Sequence, residues 1–226
     1  MSKNCIRFVL SFVAVFAMVT ALYAGGWAII TVNQLPDYAV AGKPLTLTFT
    51  VRQHGVTLLS DLHPTVSATS TTANGTPIKS AVSRGNAPGE YTTTLKFPQA
   101  GEWTINIDSG FNSNAVKMPV IKVIASGTPA PAPFSPMTRG VRLFTAKGCV
   151  GCHRHIEVNP ERTIDARFDL SGRRFPPEYL TKFLADPSIK TMDMPNLNLK
   201  SDEIDALAAF ISKVMKKTVQ EVRSEQ

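Results

Sequence analysis

The segment GCVGCHRH, Gly148 to His155, gathers Cys149, Cys152, His153 and His155 in a chain of 226 residues that holds three cysteines and four histidines. Three chemistries use such a cluster: a zinc site, a thiol–disulfide pair and a haem attachment point. Structural zinc takes four ligands, commonly as two well-separated pairs, and here the candidates crowd into one short turn. A thioredoxin-like pair sits beside a βαβ pattern, whereas the flanking sequence reads as helix on both sides. The order C-x-x-C-H is the signature of covalent haem attachment. Two thiols spaced by two residues reach the two vinyl groups on one porphyrin edge, and His153 follows where it can ligate the iron.

A second axial donor is expected further along, in TMDMPNLNLKSDEIDALAAFI. Met192 and Met194 stand there in a polar, proline-bearing stretch, where methionine is an unusual core filler. Met194 is the preferred donor because Pro195 follows and restrains the loop; Met192 is the second choice. Met215 is assigned to packing and His155 to solvent.

Helices are expected to hold these groups. Ser135 caps the first, Pro136 fits its first turn and Gly148 ends it, with Gly140, Leu143, Phe144 and Lys147 on one face. PPEYLTKFLADP gives a second, with Tyr179, Leu180, Phe183 and Leu184 at helical spacing and Pro187 as the stop. Ser201 caps the third. Asp202 and Glu203 complement its dipole, Ile204, Leu207, Ala208, Ile211 and Met215 form its apolar stripe, and Lys213, Lys216 and Lys217 lie near its end.

The preceding hundred residues follow a period of two. In PLTLTFTV, Leu45, Leu47, Phe49 and Val51 alternate with threonines, and GEWTINI repeats the pattern with Trp103, Ile105 and Ile107. Turn signals at Asn74–Gly75, Pro88–Gly89 and Ala100–Gly101 separate the runs. Several short strands in about a hundred residues suggest an immunoglobulin-like sandwich, here with no cysteine pair to staple it. Between the two periods lies SGTPAPAPFSP, residues 126–136, whose four prolines favour an extended spacer and a hinge.

At the front, Lys3 and Arg7 precede an uncharged run from Phe8 to Ala24, with small residues beyond. That is the pattern of a secretory leader, and its length also suits a retained membrane anchor. Either places the remainder outside the cytoplasm. The expected organisation is residues 1–24 leader or anchor, 25–125 sandwich, 126–136 linker and 137–226 haem domain. The net charge of +7 is spread along the chain without a basic stripe, which excludes nucleic-acid binding and suits a weakly docking acidic partner.

From about residue 136 to 217, GVRLF, CVGCH, MP and LKSDEIDALAAFI occur in that order, and this half resembles the class I c-type cytochromes. The resemblance implies an all-α class I cytochrome c fold with one haem c, its first and last helices crossing at right angles through Gly140, Phe144, Leu207 and Phe210. It also implies single-electron transfer between redox protein partners, with a membrane respiratory complex as the expected one. Arg173, Arg174 and Tyr179 become candidates for a haem propionate, Arg174 being preferred. GGWAIITV, VRQHG and PGEYTTTLKFPQAGEWTI resemble the YtkA-like or FixH-like extracytoplasmic sandwiches, which implies a docking module and directs attention to His54, His63 and Met118 as copper ligands. Two other functions stay open: a haem sensor or catalytic subunit with a displaceable Met194, and a copper or oxidase assembly factor.

Overall fold

The computed structural model describes residues 26–72, 76–112, 114–190 and 194–213. The leader or anchor, the Asn74–Gly75 turn, Met192, Met215, Lys216 and Lys217 lie outside the described residues.

Among the described residues, eleven strands form two facing sheets. They are β1 (Ala28–Val32), β2 (Tyr38–Val40), β3 (Pro44–Gln53), β4 (Thr57–Leu58), β5 (Thr65–Ser70), β6 (Ile78–Ser80), β7 (Val82–Arg84), β8 (Glu90–Lys96), β9 (Gly101–Asp108), β10 (Ala115–Lys117) and β11 (Ile121–Ile124). One sheet runs β1-β3-β8-β7 with β4 on β3; the other runs β2-β11-β9-β5-β6 with β10 on β9. All pairs are antiparallel except β2 with β11. The period-two reading holds for the two longest expected strands. Leu47, Phe49 and Val51 of β3 and Trp103, Ile105 and Ile107 of β9 are buried in one core. On the opposite face of β3, Thr46 and Thr48 meet Thr94 and Thr92 hydroxyl to hydroxyl, each at 3.3 Å, a cross-strand pairing that strengthens the sheet. The Tyr91 hydroxyl donates to the Leu59 carbonyl and accepts from the Leu62 amide. That buried phenol thereby fixes the loop after β4 while its own hydroxyl is fully paired. The first half is an immunoglobulin-like β-sandwich.

The second half departs from the all-α class I cytochrome c fold. Strands dominate the chain, and the described helices are three: α1 (Pro136–Ala146), α2 (Pro177–Ala185) and α3 (Ser201–Ile211). Between α1 and α2 the backbone makes only short 3-10 turns and an isolated bridge from Arg154 to Asp169. The sequence there explains this. Asn159 and Asp165 side chains accept from the His155 and Arg167 amides, and such local bonds compete with helix formation. Pro160 and Pro176 interrupt it further.

The helices themselves lie where their signals point. Ser135 accepts from the Thr138 amide at the start of α1, and Leu180 and Leu184 of α2 are buried. The start of α3 is shifted by one residue: Lys200 is its N-cap, and Glu203 reaches back to the Lys200 amide at 3.1 Å. Ser201 is therefore already helical. Helices α1 and α3 pack closely because Gly140 has no side chain. A Cβ there would fall on the Ala206 carbonyl oxygen and stand 2.6 Å from Phe210 Cβ. Gly140→Val is expected to lower stability by about 3 kcal/mol, the upper range for overpacking a core, read as a shift of the urea midpoint at unchanged slope.

Residues 126–135 form no strand or helix, yet the two halves do not hang apart on them. Ala146 at the end of α1 belongs to the core of the sandwich. Arg142 donates to the Val120 carbonyl at 2.6 Å and lies over the Phe134 ring. Lys147 is 3% exposed; its ammonium pairs with Glu203 at 2.8 Å and donates to the Asn33 carbonyl at 2.8 Å. The expected hinge is thus bridged by packing on both sides.

Candidate functional site

Gly148 ends α1 at φ +81 and opens the 3-10 turn Cys149–Gly151. The positive φ and the tight fit both require glycine, since a Cβ would stand 2.5 Å from Ile29 Cγ2 and 2.8 Å from the Ile30 carbonyl. The Cys149 carbonyl accepts from the Cys152 and His153 amides, at 3.1 and 2.8 Å. Arg162 ties the same turn by donating to the Gly151 carbonyl at 2.6 Å.

His153 is oriented by its other ring nitrogen. Nδ1 lies 3.1 Å from the Phe168 carbonyl, and a carbonyl only accepts, so Nδ1 carries the proton and Nε2 keeps its lone pair. This is the usual way a protein presents an imidazole to a metal. The Asn159 amide holds the His153 carbonyl from the other side, at 2.9 Å. Burial lowers the His153 pKa against the pull of the Phe168 bond, and the Arg162 and Arg173 charges lower it further. The ring is accordingly neutral at physiological pH, the form that ligates.

Cys149, His153 and Met194 line one cavity of about 740 Å³, counted to its open mouth. Phe144, Leu180 and Leu207 give it apolar walls, while Arg167, Arg173 and Tyr179 stand at the same cavity with exposed side chains. Phe175, just before α2, and Tyr179 and Phe183 on it stack in series, at 6.2 and 5.8 Å between centroids. Arg174, the expected propionate partner, is exposed and outside this lining, whereas Arg167 and Arg173 are within it. Cys152 also stands outside the lining, where the Trp27 indole N–H donates to its sulfur and Arg162 lies close.

The thiols differ from those of a disulfide exchanger. Burial pushes the Cys149 thiol up to about 12, and burial raises Cys152 against the opposing Arg162 charge. Exchange chemistry needs a depressed thiol pKa. Among the described residues no cluster of three or more His, Cys, Asp or Glu side chains is placed to hold a metal ion. Of the expected copper ligands, His54 packs its ring on Trp27 at 4.5 Å and Met118 is buried in the core of the sandwich. The donor set around the cavity is instead one imidazole, one thioether sulfur and a cysteine beside apolar walls, which fits a haem better than a hydrated cation.

His155 is not solvated. It is 1% exposed, with its ring 4.3 Å from that of Phe210 and Nδ1 accepting from the Glu157 amide at 3.3 Å. Sequence reasoning also passed over Trp27, Ile29 and Arg162, which lie outside the motif in the chain and carry no local pattern.

The fold of the first half defines it as an immunoglobulin-like sandwich. Within it, residues 28–108 match the family model described as YtkA-like. Among solved structures, the Lin-41 filamin domain aligns at 12% identity over 42% of this chain and 90% of its own, with a TM-score of 0.33. The superoxide reductase (neelaredoxin) from Ignicoccus hospitalis aligns at 18% identity over 44% of this chain and 82% of its own, with a TM-score of 0.30. The comparison with curated proteins returns no match.

Proposed function

We propose that this chain is an extracytoplasmic c-type haem protein that passes single electrons between respiratory redox partners, one of them a membrane complex. Cys149 and Cys152 would hold one haem c through their sulfurs, and His153 and Met194 would supply the nitrogen and sulfur donors to its iron. The observation that carries the reading is the meeting of Cys149, His153 and Met194 on one apolar cavity, with the His153 tautomer set by Phe168. When bound, the haem supplies a one-electron iron couple whose potential a methionine ligand raises.

The chain's own residues do the rest. Phe144, Leu180 and Leu207 keep water from the cavity. Arg167 and Arg173 offer cations to the acidic edge of the cofactor, and the surplus of positive charge favours an acidic partner surface. The sandwich presents this unit at the outer membrane face. A Met194 that leaves the iron under working conditions would convert the same site into a sensor or catalytic centre, and carbon monoxide uptake by the reduced protein distinguishes that reading.

The test is intact mass and visible spectrum of the full chain matured in a host that attaches haem c. The expected result is one added haem, no alkylatable thiol at residues 149 and 152, the weak ferric band of a methionine sulfur ligand and no carbon monoxide uptake. A colourless product with both thiols alkylated overturns the proposal.

A further inference from the structure

We infer that the β-sandwich is a brace for the haem site, and that Gly55 and Ile29 are positioning residues for the axial methionine. The inference rests on the reading of Met194 as a ligand and adds to it the surface that sets where that ligand stands.

Ile29 of β1 is 5% exposed and is met by three glycines from two segments. A Cβ would stand 2.5 Å from it at Gly148, 2.9 Å at Gly151 and 3.1 Å at Gly55. Gly148 and Gly151 flank the first attachment cysteine, so this one side chain from the sandwich seats the turn. Gly55 lies in the β3–β4 turn, at φ +78, and a Cβ there would also stand 3.5 Å from Pro195 Cγ and 3.7 Å from Pro195 Cδ. Pro195 follows Met194 directly. The second attachment cysteine is touched from the same edge, through Trp27, which in turn packs on His54 of the β3–β4 turn.

One edge of the sandwich thus contacts the turn bearing Cys149, Cys152 and His153 and, a few ångströms away, the residue behind Met194. Ligand geometry is held by such supporting contacts as much as by the donors. Pro195 stands beside the β3–β4 turn, where a side chain at residue 55 would come into van der Waals contact with it, so bulk added at that turn is passed to the sulfur one residue earlier. A sandwich serving only to dock a partner would need no contact at Pro195.

The test uses the full-length holoprotein. Gly55→Asn adds bulk toward Pro195, while asparagine tolerates a positive φ. Gly42→Asn is the control: it has φ +75 with nothing within 4 Å of a Cβ, so it carries the same backbone demand without the contact. The expected result is that Gly55→Asn keeps covalent haem but loses the ferric methionine band and shifts to a lower reduction potential, while Gly42→Asn matches the parent in both. Should Gly55→Asn fail to fold, Ile29→Val removes the Cδ1 atom that abuts Gly55. The methionine band is then expected to vanish on heating well below the global unfolding transition, unlike the parent's. Haem-bearing variants with parental band and potential overturn the brace and leave the haem assignment standing. A parent chain that carries no haem overturns both, and the two failures are told apart by colour.

Discussion

Lys147→Met is expected to destabilise the protein by about 3–5 kcal/mol, the range for stranding one partner of a buried ion pair. Lys147 and Glu203 side chains are 3% and 4% exposed and sit 2.8 Å apart. Without the ammonium, the Glu203 carboxylate of α3 stays buried, with the Lys200 amide as its remaining partner among the described residues. The pair itself contributes less than this figure suggests, because both charges were desolvated on folding. Hence the double variant Lys147→Met, Glu203→Leu is expected to recover most of the loss, as apolar replacements of buried pairs commonly do. Urea unfolding of the parent, both single variants and the double measures this cycle. A single-variant loss below about 1 kcal/mol, the scale of an exposed pair, means that water reaches Glu203 and the interface opens in solution.

On the proposed reading of the chain as a haem c protein, Cys149→Ala combined with Cys152→Ala is expected to remove covalently bound haem completely. His153 and Met194 remain, so any cofactor retained by the cavity should leave on extraction into acidified organic solvent, whereas the parent's should not. Each single variant is expected to keep one thioether link and a shifted reduced-state absorption maximum, since one vinyl group stays conjugated with the ring. Haem staining after denaturing electrophoresis separates the three cases. Covalent haem persisting in the double variant would mean that another residue carries the bond, and the assignment of the motif would fail.

What the sequence made legible follows from how locally each feature is encoded. The alternation in β3 and β9 and the caps of α1 are set by neighbours within a few residues, and each is found where its pattern lies. The 3-10 turn Cys149–Gly151 that ends α1 at Gly148 is equally local. The burial of His155 is not: it depends on Phe210, far later in the chain, and on Phe144 before it. The contact between Ile29 and the glycines at 148 and 151 joins the first strand to a segment far along the chain, and the Lys147 ammonium bonds back to Asn33. Helical spacing puts Lys147 on the face of Gly140, Leu143 and Phe144 but says nothing of its pairing with Glu203 or Asn33, and the prolines before it read as a hinge. The all-α expectation for the second half failed on the stretch after His153, where Asn159, Asp165, Pro160 and Pro176 prefer turns over helix. Helical spacing in the flanking segments says nothing about that interval.

Arg142 reaches out of α1 to a carbonyl beside β11 while its guanidinium covers the ring of Phe134. The end of the proline-rich stretch is thereby clasped from both sides. The chain at this point works as a strap buckled at its far end: severing it upstream would leave the two pieces still fastened to one another, and the order in which they were threaded would matter less than the surfaces they share.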